Sequence, residues 1–168
     1  MNNWKKLNQS IKNSDRIVLS THMNPDGDGL GSAVAMHSYI SDLGIDCRII
    51  QISKFPTEYN FLNDSNNIET YDLTFHDSWL NKVDLALIFD IGSYNRLGPL
   101  GDKLLSNKTK VINIDHHPKL NDERFHEHYI NIEAAATGEL VYDFLQENQI
   151  ILNEVIAKGI YTAIMTDT

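Results

Sequence analysis

The chain has 168 residues and carries 14 Lys and Arg against 23 Asp and Glu, a formal net charge of −9. That length fits one domain with enough chain to bury a core; the 42% hydrophobic and 22% charged content excludes a disordered or fibrous chain, and the acid excess weighs against a broad basic surface for long nucleic acid. A lone cysteine, Cys47, allows no internal disulfide, the first residues lack the apolar segment of a secretory signal, and no apolar run could span a bilayer, so the expected compartment is the cytoplasm.

In chain order, continuous apolar runs predict strands over residues 16–20, 47–52, 84–89 and 110–114, with a shorter one over 129–132. Between the first two, Ala33, Met36, Ile40 and Leu43 recur at helical spacing, predicting a helix over 31–43 that ends on Gly44. Further on, Thr137 can cap a helix carrying Leu140, Val141, Phe144 and Leu145, and Asn153 can cap another carrying Val155, Ile156, Ile160 and Ile164. Residues 161–168 read as a small-residue turn. Alternation of strand and helix predicts an α/β fold, a mostly parallel sheet with helices on both faces.

Such sheets bind ligands beyond the carboxyl ends of their strands. The first strand is followed by Thr21-His22-Met23-Asn24-Pro25-Asp26-Gly27-Asp28-Gly29, the third by Asp90, and the fourth by Asp115-His116-His117-Pro118; Asp167 lies near the end of the sequence. Carboxylates mixed with imidazoles suit a borderline divalent ion such as Mn²⁺ better than Ca²⁺. Asp26, Asp28, Asp90 and Asp167 in one place would repel one another unless cations lay between them, and two divalent ions would neutralise all four. Gly27, Gly29 and Gly31 then have a use, letting the backbone turn tightly so that Asp26 and Asp28 face one pocket. An EF-hand starting at Asp26 fails at Leu30 and His37, a dinucleotide fingerprint starting at Gly27 fails at Ser32, and neither a P-loop nor a Gly-x-Ser-x-Gly elbow occurs. His37, His76, His126 and His128 follow no predicted strand and read as surface or satisfied core histidines, with His126 and His128 in a solvated loop.

The set His22-x-x-x-Asp26-x-Asp28, Asp90, Asp115-His116-His117 and Asp167 resembles, in order and across almost the whole chain, the four motifs of the DHH phosphoesterases. HMNPDGDGLGSA, DIGSYNRLG, INIDHHP, AAATGELVYDFL and YTAIMTDT are most similar to the branch of bifunctional oligoribonucleases and 3′-phosphoadenosine 5′-phosphate (pAp) phosphatases. The resemblance implies that residues 1–168 are a DHH catalytic domain, that the branch's C-terminal nucleotide-gripping domain has no counterpart here, and that the chain is a fragment that could be inactive alone. It implies one metal ion held by His22, Asp26 and Asp90 and a second held by Asp28, Asp90, His116 and Asp167, with Asp90 bridging ions about 3.5–4 Å apart that activate a water for in-line attack on phosphorus. His117 would donate to the scissile phosphate, Asp115 would orient an imidazole, and Arg96 would contact a phosphate bidentately. Thr137 and Gly138 could offer backbone N–H groups to a phosphate. The implied substrates are pAp or RNA of a few residues, with no membrane or long duplex partner and a homodimer left open. Cyclic dinucleotides, pyrophosphate or single-stranded DNA are the alternatives within the family, and a metal-binding module without turnover is the alternative outside it.

Overall fold

The computed structural model describes residues 2–64, 66–119 and 121–168. Six strands, β1 (Arg16–Ser20), β2 (Asp46–Gln51), β3 (Ile68–Thr70), β4 (Leu85–Phe89), β5 (Lys110–Asp115) and β6 (Glu127–Ile130), form one sheet in the order β3-β2-β1-β4-β5-β6, with every neighbouring pair parallel. From β1 the chain builds outward through β2 to β3, then crosses back to pair β4 against the other side of β1. The strand order therefore reverses between β1 and β4, the place where loops leave in opposite directions and open a crevice.

Both faces of this sheet are covered. Ile17, Leu19, Ile49, Leu85, Leu87, Phe89, Ile112 and Ile114 point into one core, packed by α1 (Trp4–Lys12), α2 (Gly27–Asp42), α5 (Thr137–Glu147) and α6 (Glu154–Asp167). The alternate residues Val18, Ile50, Ala86, Ile88 and Val111 face a second core under α3 (Leu73–Leu80) and α4 (Gly98–Ser106). The period of two along each strand thus feeds two hydrophobic layers, which is why these strands read as unbroken apolar runs.

Three helices and one strand are additions to the predicted set. In α1 the buried residues Trp4, Leu7 and Ile11 line one stripe, and Asn3 caps the helix by accepting from the Lys6 N–H at 3.0 Å. Asp72 caps α3 in the same way at Thr74, at 2.7 Å, but Leu73 and Phe75 are exposed and blur the periodicity. Pro99 opens α4, and β3 is only three residues long. Several boundaries also differ from those read in the sequence. Helix α2 starts at Gly27, four residues earlier than expected, because the Asp26 carboxylate caps it through the N–H groups of Asp28 and Gly29, both at 3.2 Å. Gly27 and Gly29 therefore lie inside a helix and make no turn. Residues 161–167 are the last turns of α6 and not a turn of their own. Strand β6 begins at Glu127, so His128 lies on the sheet and not in a loop; His126 is exposed in the bend before it, as expected, with its Nδ1 accepting from the Val111 N–H at 3.0 Å. Ala136, not Thr137, is the cap residue of α5. Gly44, with φ of +78°, and Asn153, accepting from the Ile156 N–H at 2.9 Å, terminate and open their helices as expected.

Helices α2 and α6 make the tightest junction in the molecule. A methyl group at Gly159 would lie 2.5 Å from the Gly31 carbonyl oxygen, and one at Gly27 would lie 2.5 Å from the Thr166 side chain. Gly27 meets Thr166 while Gly31 meets Gly159 and Ala163, so the helices run antiparallel and the end of α6 arrives at the start of α2. This register delivers Asp167 to the crevice.

Candidate metal centre

Four separate stretches of chain bring their polar residues together at the carboxyl ends of β1, β4 and β5. Behind β1, His22 is buried, and its Nδ1 donates to the Met23 carbonyl at 2.7 Å, which leaves Nε2 as the nitrogen that faces the crevice. That Nε2 lies 3.3 Å from Asp26 Oδ2 and 3.4 Å from Asp90 Oδ2. Behind β5, His116 holds its Nδ1 against the Ala134 carbonyl at 3.3 Å and turns Nε2 toward Asp167 at 3.1 Å, Asp90 Oδ1 at 3.7 Å and Asp28 at 3.8 Å. Two three-residue groups have their ligand atoms close enough to share an ion: His22, Asp26 and Asp90, and Asp28, His116 and Asp167. Asp90 lies between them, one oxygen toward each imidazole.

Asp90 occupies a special position. It ends β4 with φ of +50°, a left-handed conformation that strands do not use and that Asp adopts at some cost. The turn is held from outside by Asp115, whose Oδ2 accepts from the Ile91 and Gly92 N–H groups at 3.1 and 2.7 Å. The other oxygen of Asp115 takes the His117 N–H at 3.0 Å and its Nδ1 at 2.8 Å. Asp115 therefore fastens the ends of β4 and β5 together and fixes the His117 ring. A third potential ligand group, Asp90 with His116 and His117, uses the same His117 Nδ1 that Asp115 already engages, leaving Nε2 for anything that approaches from solvent.

The charges here are unbalanced without a cation. Asp90 Oδ1 is buried and has no hydrogen-bond partner, although His117 Nδ1 lies 3.3 Å away, because that nitrogen is directed at Asp115. An unpaired buried carboxylate oxygen is costly. Burial and the neighbouring Asp90 charge push the Asp28 carboxyl up to about 7, against the pull of two backbone N–H bonds. Burial, with the charges of Asp90 and Asp26, also raises Asp167, partly offset by His116. At His22, burial opposes the charged ring, but its hydrogen bonds to the Asp26 and Asp90 carboxylates prevail and push it up to about 10. For Asp26 burial is likewise outweighed, here by His22 and the N–H groups of the capping turn, and its carboxyl is held below the usual range. His117 is raised because its bond to Asp115 outweighs burial. Each of these shifts expresses one need, for positive charge among four carboxylates. The orphaned oxygen and the mixed carboxylate and imidazole donors fit divalent cations of the borderline type.

All of the residues expected at the site meet there except Arg96, which sits on the turn after β4. Its guanidinium donates to the Ile91 carbonyl at 3.3 Å, its own carbonyl accepts from the Met23 N–H at 3.0 Å, and it pairs with no carboxylate among the described residues. It thus borders the crevice without entering either ligand group. The expectation for Thr137 and Gly138 is corrected: their N–H groups are already taken by Asp28, at 2.7 and 2.8 Å. Asp28, fully buried, is the anion at the start of α5. No sequence signal marks this partnership, which spans more than a hundred residues and leaves no periodic trace.

The sequence profile of the DHH family's N-terminal domain matches residues 16–166. The chain belongs to the DHH family. It is 29% identical over 169 residues to a Streptococcus mutans protein named a probable bifunctional oligoribonuclease and PAP phosphatase NrnA, covering 100% of this chain and 50% of that one. It is 24% identical over 155 residues to a Bacillus mycoides protein named a probable manganese-dependent inorganic pyrophosphatase, covering 92% of this chain and 48% of the other. Among solved structures, an exopolyphosphatase-related protein from Bacteroides fragilis superposes with a TM-score of 0.89 at 24% identity, over 98% of this chain and 49% of that one, and shares the fold. The DHH chain thus spans about half the length of the curated relatives it matches. Among the described residues, no helix of this DHH domain is long and apolar enough to cross a membrane.

Proposed function

We propose that residues 1–168 form the catalytic domain of a two-metal phosphoesterase acting on small nucleotides, pAp and RNA of a few residues. The observation that carries this is Asp90: one buried carboxylate in a left-handed conformation just after β4, a member of the His22 and Asp26 group with its other oxygen 3.7 Å from the His116 Nε2 of the second group. In this reading His22, Asp26 and Asp90 hold one divalent ion, and Asp28, Asp90, His116 and Asp167 hold the other, with Mn²⁺ the best match to the donor set. Two such ions supply Lewis acidity, neutralising phosphoryl oxygens and making water acidic enough to attack. The protein's own part is to hold the geometry. Met23 and Ala134 carbonyls fix the tautomers of His22 and His116, so that each offers Nε2. His117, oriented by Asp115, which also favours its charged form, donates from Nε2 to a phosphoryl oxygen or to the departing group. Arg96 uses the guanidinium N–H groups not engaged by Ile91 to hold a second phosphate. The net charge of −9 favours small substrates over long polyanions.

The test is a substrate panel with Mn²⁺: pAp, a diribonucleotide, a cyclic dinucleotide, pyrophosphate and single-stranded DNA, each with Asp90→Ala as control. Release of phosphate from pAp and of mononucleotides from the diribonucleotide, both abolished in Asp90→Ala, is the expected result. Turnover of pyrophosphate alone would overturn the nucleotide assignment, and equal rates in Asp90→Ala would overturn the shared-carboxylate mechanism.

A further inference from the structure

Asp28 is held in a way no other member of the two ligand groups is. Its two oxygens each accept one main-chain N–H, Oδ2 from Thr137 at 2.7 Å and Oδ1 from Gly138 at 2.8 Å, and these are the first two residues of α5. The side chain of Thr137 takes no part in this, since its Oγ1 is buried without a hydrogen-bond partner. The grip is therefore made by backbone alone, and its position depends on how deeply α5 is seated. That depth is limited at one point. A methyl group at position 138 would collide with the Ala163 Cβ of α6, and would lie 3.6 Å from both the Ala163 Cα and Asp28 Oδ1. Ala163 is one helical turn before Asp167, on the same side of α6. Gly138, Ala163 and Asp28 thus form a stack whose spacing fixes the distance between Asp28 and the other two members of its group, while His22 and Asp90 follow β1 and β4 and Asp26 meets the stack only through the Asp28 main-chain N–H, at 3.2 Å.

We propose that the Thr137–Gly138 turn is a positioning element for one metal group only: it clamps Asp28 against His116 and Asp167, and the bare Gly138–Ala163 contact sets that group's affinity for a divalent ion. Each Asp28 oxygen gives one lone pair to an N–H and keeps the other for the ion, so the carboxylate cannot rotate out of the site. The inference rests on the two-metal reading above, and its test uses Mn²⁺ binding, not turnover.

Mn²⁺ binding is measured by equilibrium dialysis with electron paramagnetic resonance on the wild-type chain, Gly138→Ala, Ala163→Gly and the double variant, with thermal melts alongside. Gly138→Ala is expected to weaken one of the two ions by about 10–100-fold, the range typical for disturbing the partners of metal ligands, and to leave the other unchanged. Ala163→Gly removes the methyl group that collides, so the double variant is expected to recover to within a few-fold of wild type. Wild-type binding of both ions by Gly138→Ala, equal loss of both, or no recovery in the double variant would each overturn the clamp. Two ions bound with the expected recovery, but no turnover of any phosphoester, would overturn the phosphoesterase reading and leave the clamp standing. A wild-type chain that binds no Mn²⁺ would overturn both.

Discussion

Metal uptake by this site should be coupled to proton release, and the size of the effect follows from His22. Its ring is pushed up to about 10 by Asp26 and Asp90 prevailing over burial, and it is Nε2, the nitrogen those carboxylates share, that an ion must take. At pH 7 an ion therefore displaces a proton held about three pH units above ambient, which at about 1.4 kcal/mol per unit costs roughly 4 kcal/mol of binding free energy. Asp28, at about 7, is half protonated at the same pH and adds about half a proton for the second ion. Affinity at the His22 group should rise roughly tenfold per pH unit, hence about 100-fold between pH 6 and pH 8. Calorimetric Mn²⁺ titrations at pH 7 in two buffers of different ionisation enthalpy would count the protons. More than one proton should be released as both ions bind, falling by about half a proton in Asp28→Asn. An affinity that is flat from pH 6 to 8, or heats that do not depend on the buffer, would refute the electrostatic account of the site.

The same groups set the stability of metal-depleted protein. His22 binds its proton more tightly when folded, so its contribution is full below about pH 6.5 and is lost as pH rises toward about 10; Asp28, raised from 3.8 to about 7, binds more protons folded than unfolded and also loses stability as pH climbs through that window. Chelator-treated protein should melt lower at pH 8 than at pH 6, and Mn²⁺ should reduce or remove the difference; a higher melting temperature at pH 8 without metal would contradict this. Gly159→Ala places a methyl group 2.5 Å from the Gly31 carbonyl oxygen on a backbone that cannot yield, and urea melts should record a loss of about 1–3 kcal/mol or more. Arg96→Ala should leave the melting temperature near wild type while raising KM for pAp about 10–100-fold, the worth of a charge-assisted phosphate contact; an unchanged KM would remove Arg96 from the substrate site. Asp115→Asn weakens the acceptor that holds His117 and the turn after β4, so kcat should fall and the alkaline limb of the pH–rate profile should move to lower pH.

The parts of the fold written locally were the legible ones. Strands buried on both faces announce themselves as apolar runs, and their ends pointed directly to His22, Asp26, Asp28, Asp90, His116 and His117, all of which the structure brings to one crevice. Asp167 follows no strand and could be added to the set only as a further carboxylate, because its arrival depends on the antiparallel register of α2 and α6, set by Gly27, Gly31, Gly159 and Ala163 far apart in sequence. Gly27 and Gly31 were legible as unusual, but their use was misjudged: they permit close helix contact rather than a turn. Helix α1 was written plainly enough in Asn3, Trp4, Leu7 and Ile11, a cap followed by one apolar stripe. Helix α3 was not, since its exposed Leu73 and Phe75 break the pattern that burial would impose. The clamp on Asp28 had no local signature, because main-chain donors carry no side-chain code.

The central claim is that Asp90 joins two ion sites into one centre. Crystals of the chain soaked in Mn²⁺ and measured at the manganese absorption edge test it directly. The account predicts two anomalous peaks about 3.5–4 Å apart, one against His22 and Asp26, the other against Asp28, His116 and Asp167, with Asp90 touching both. A single peak, or two peaks that do not share Asp90, would contradict it.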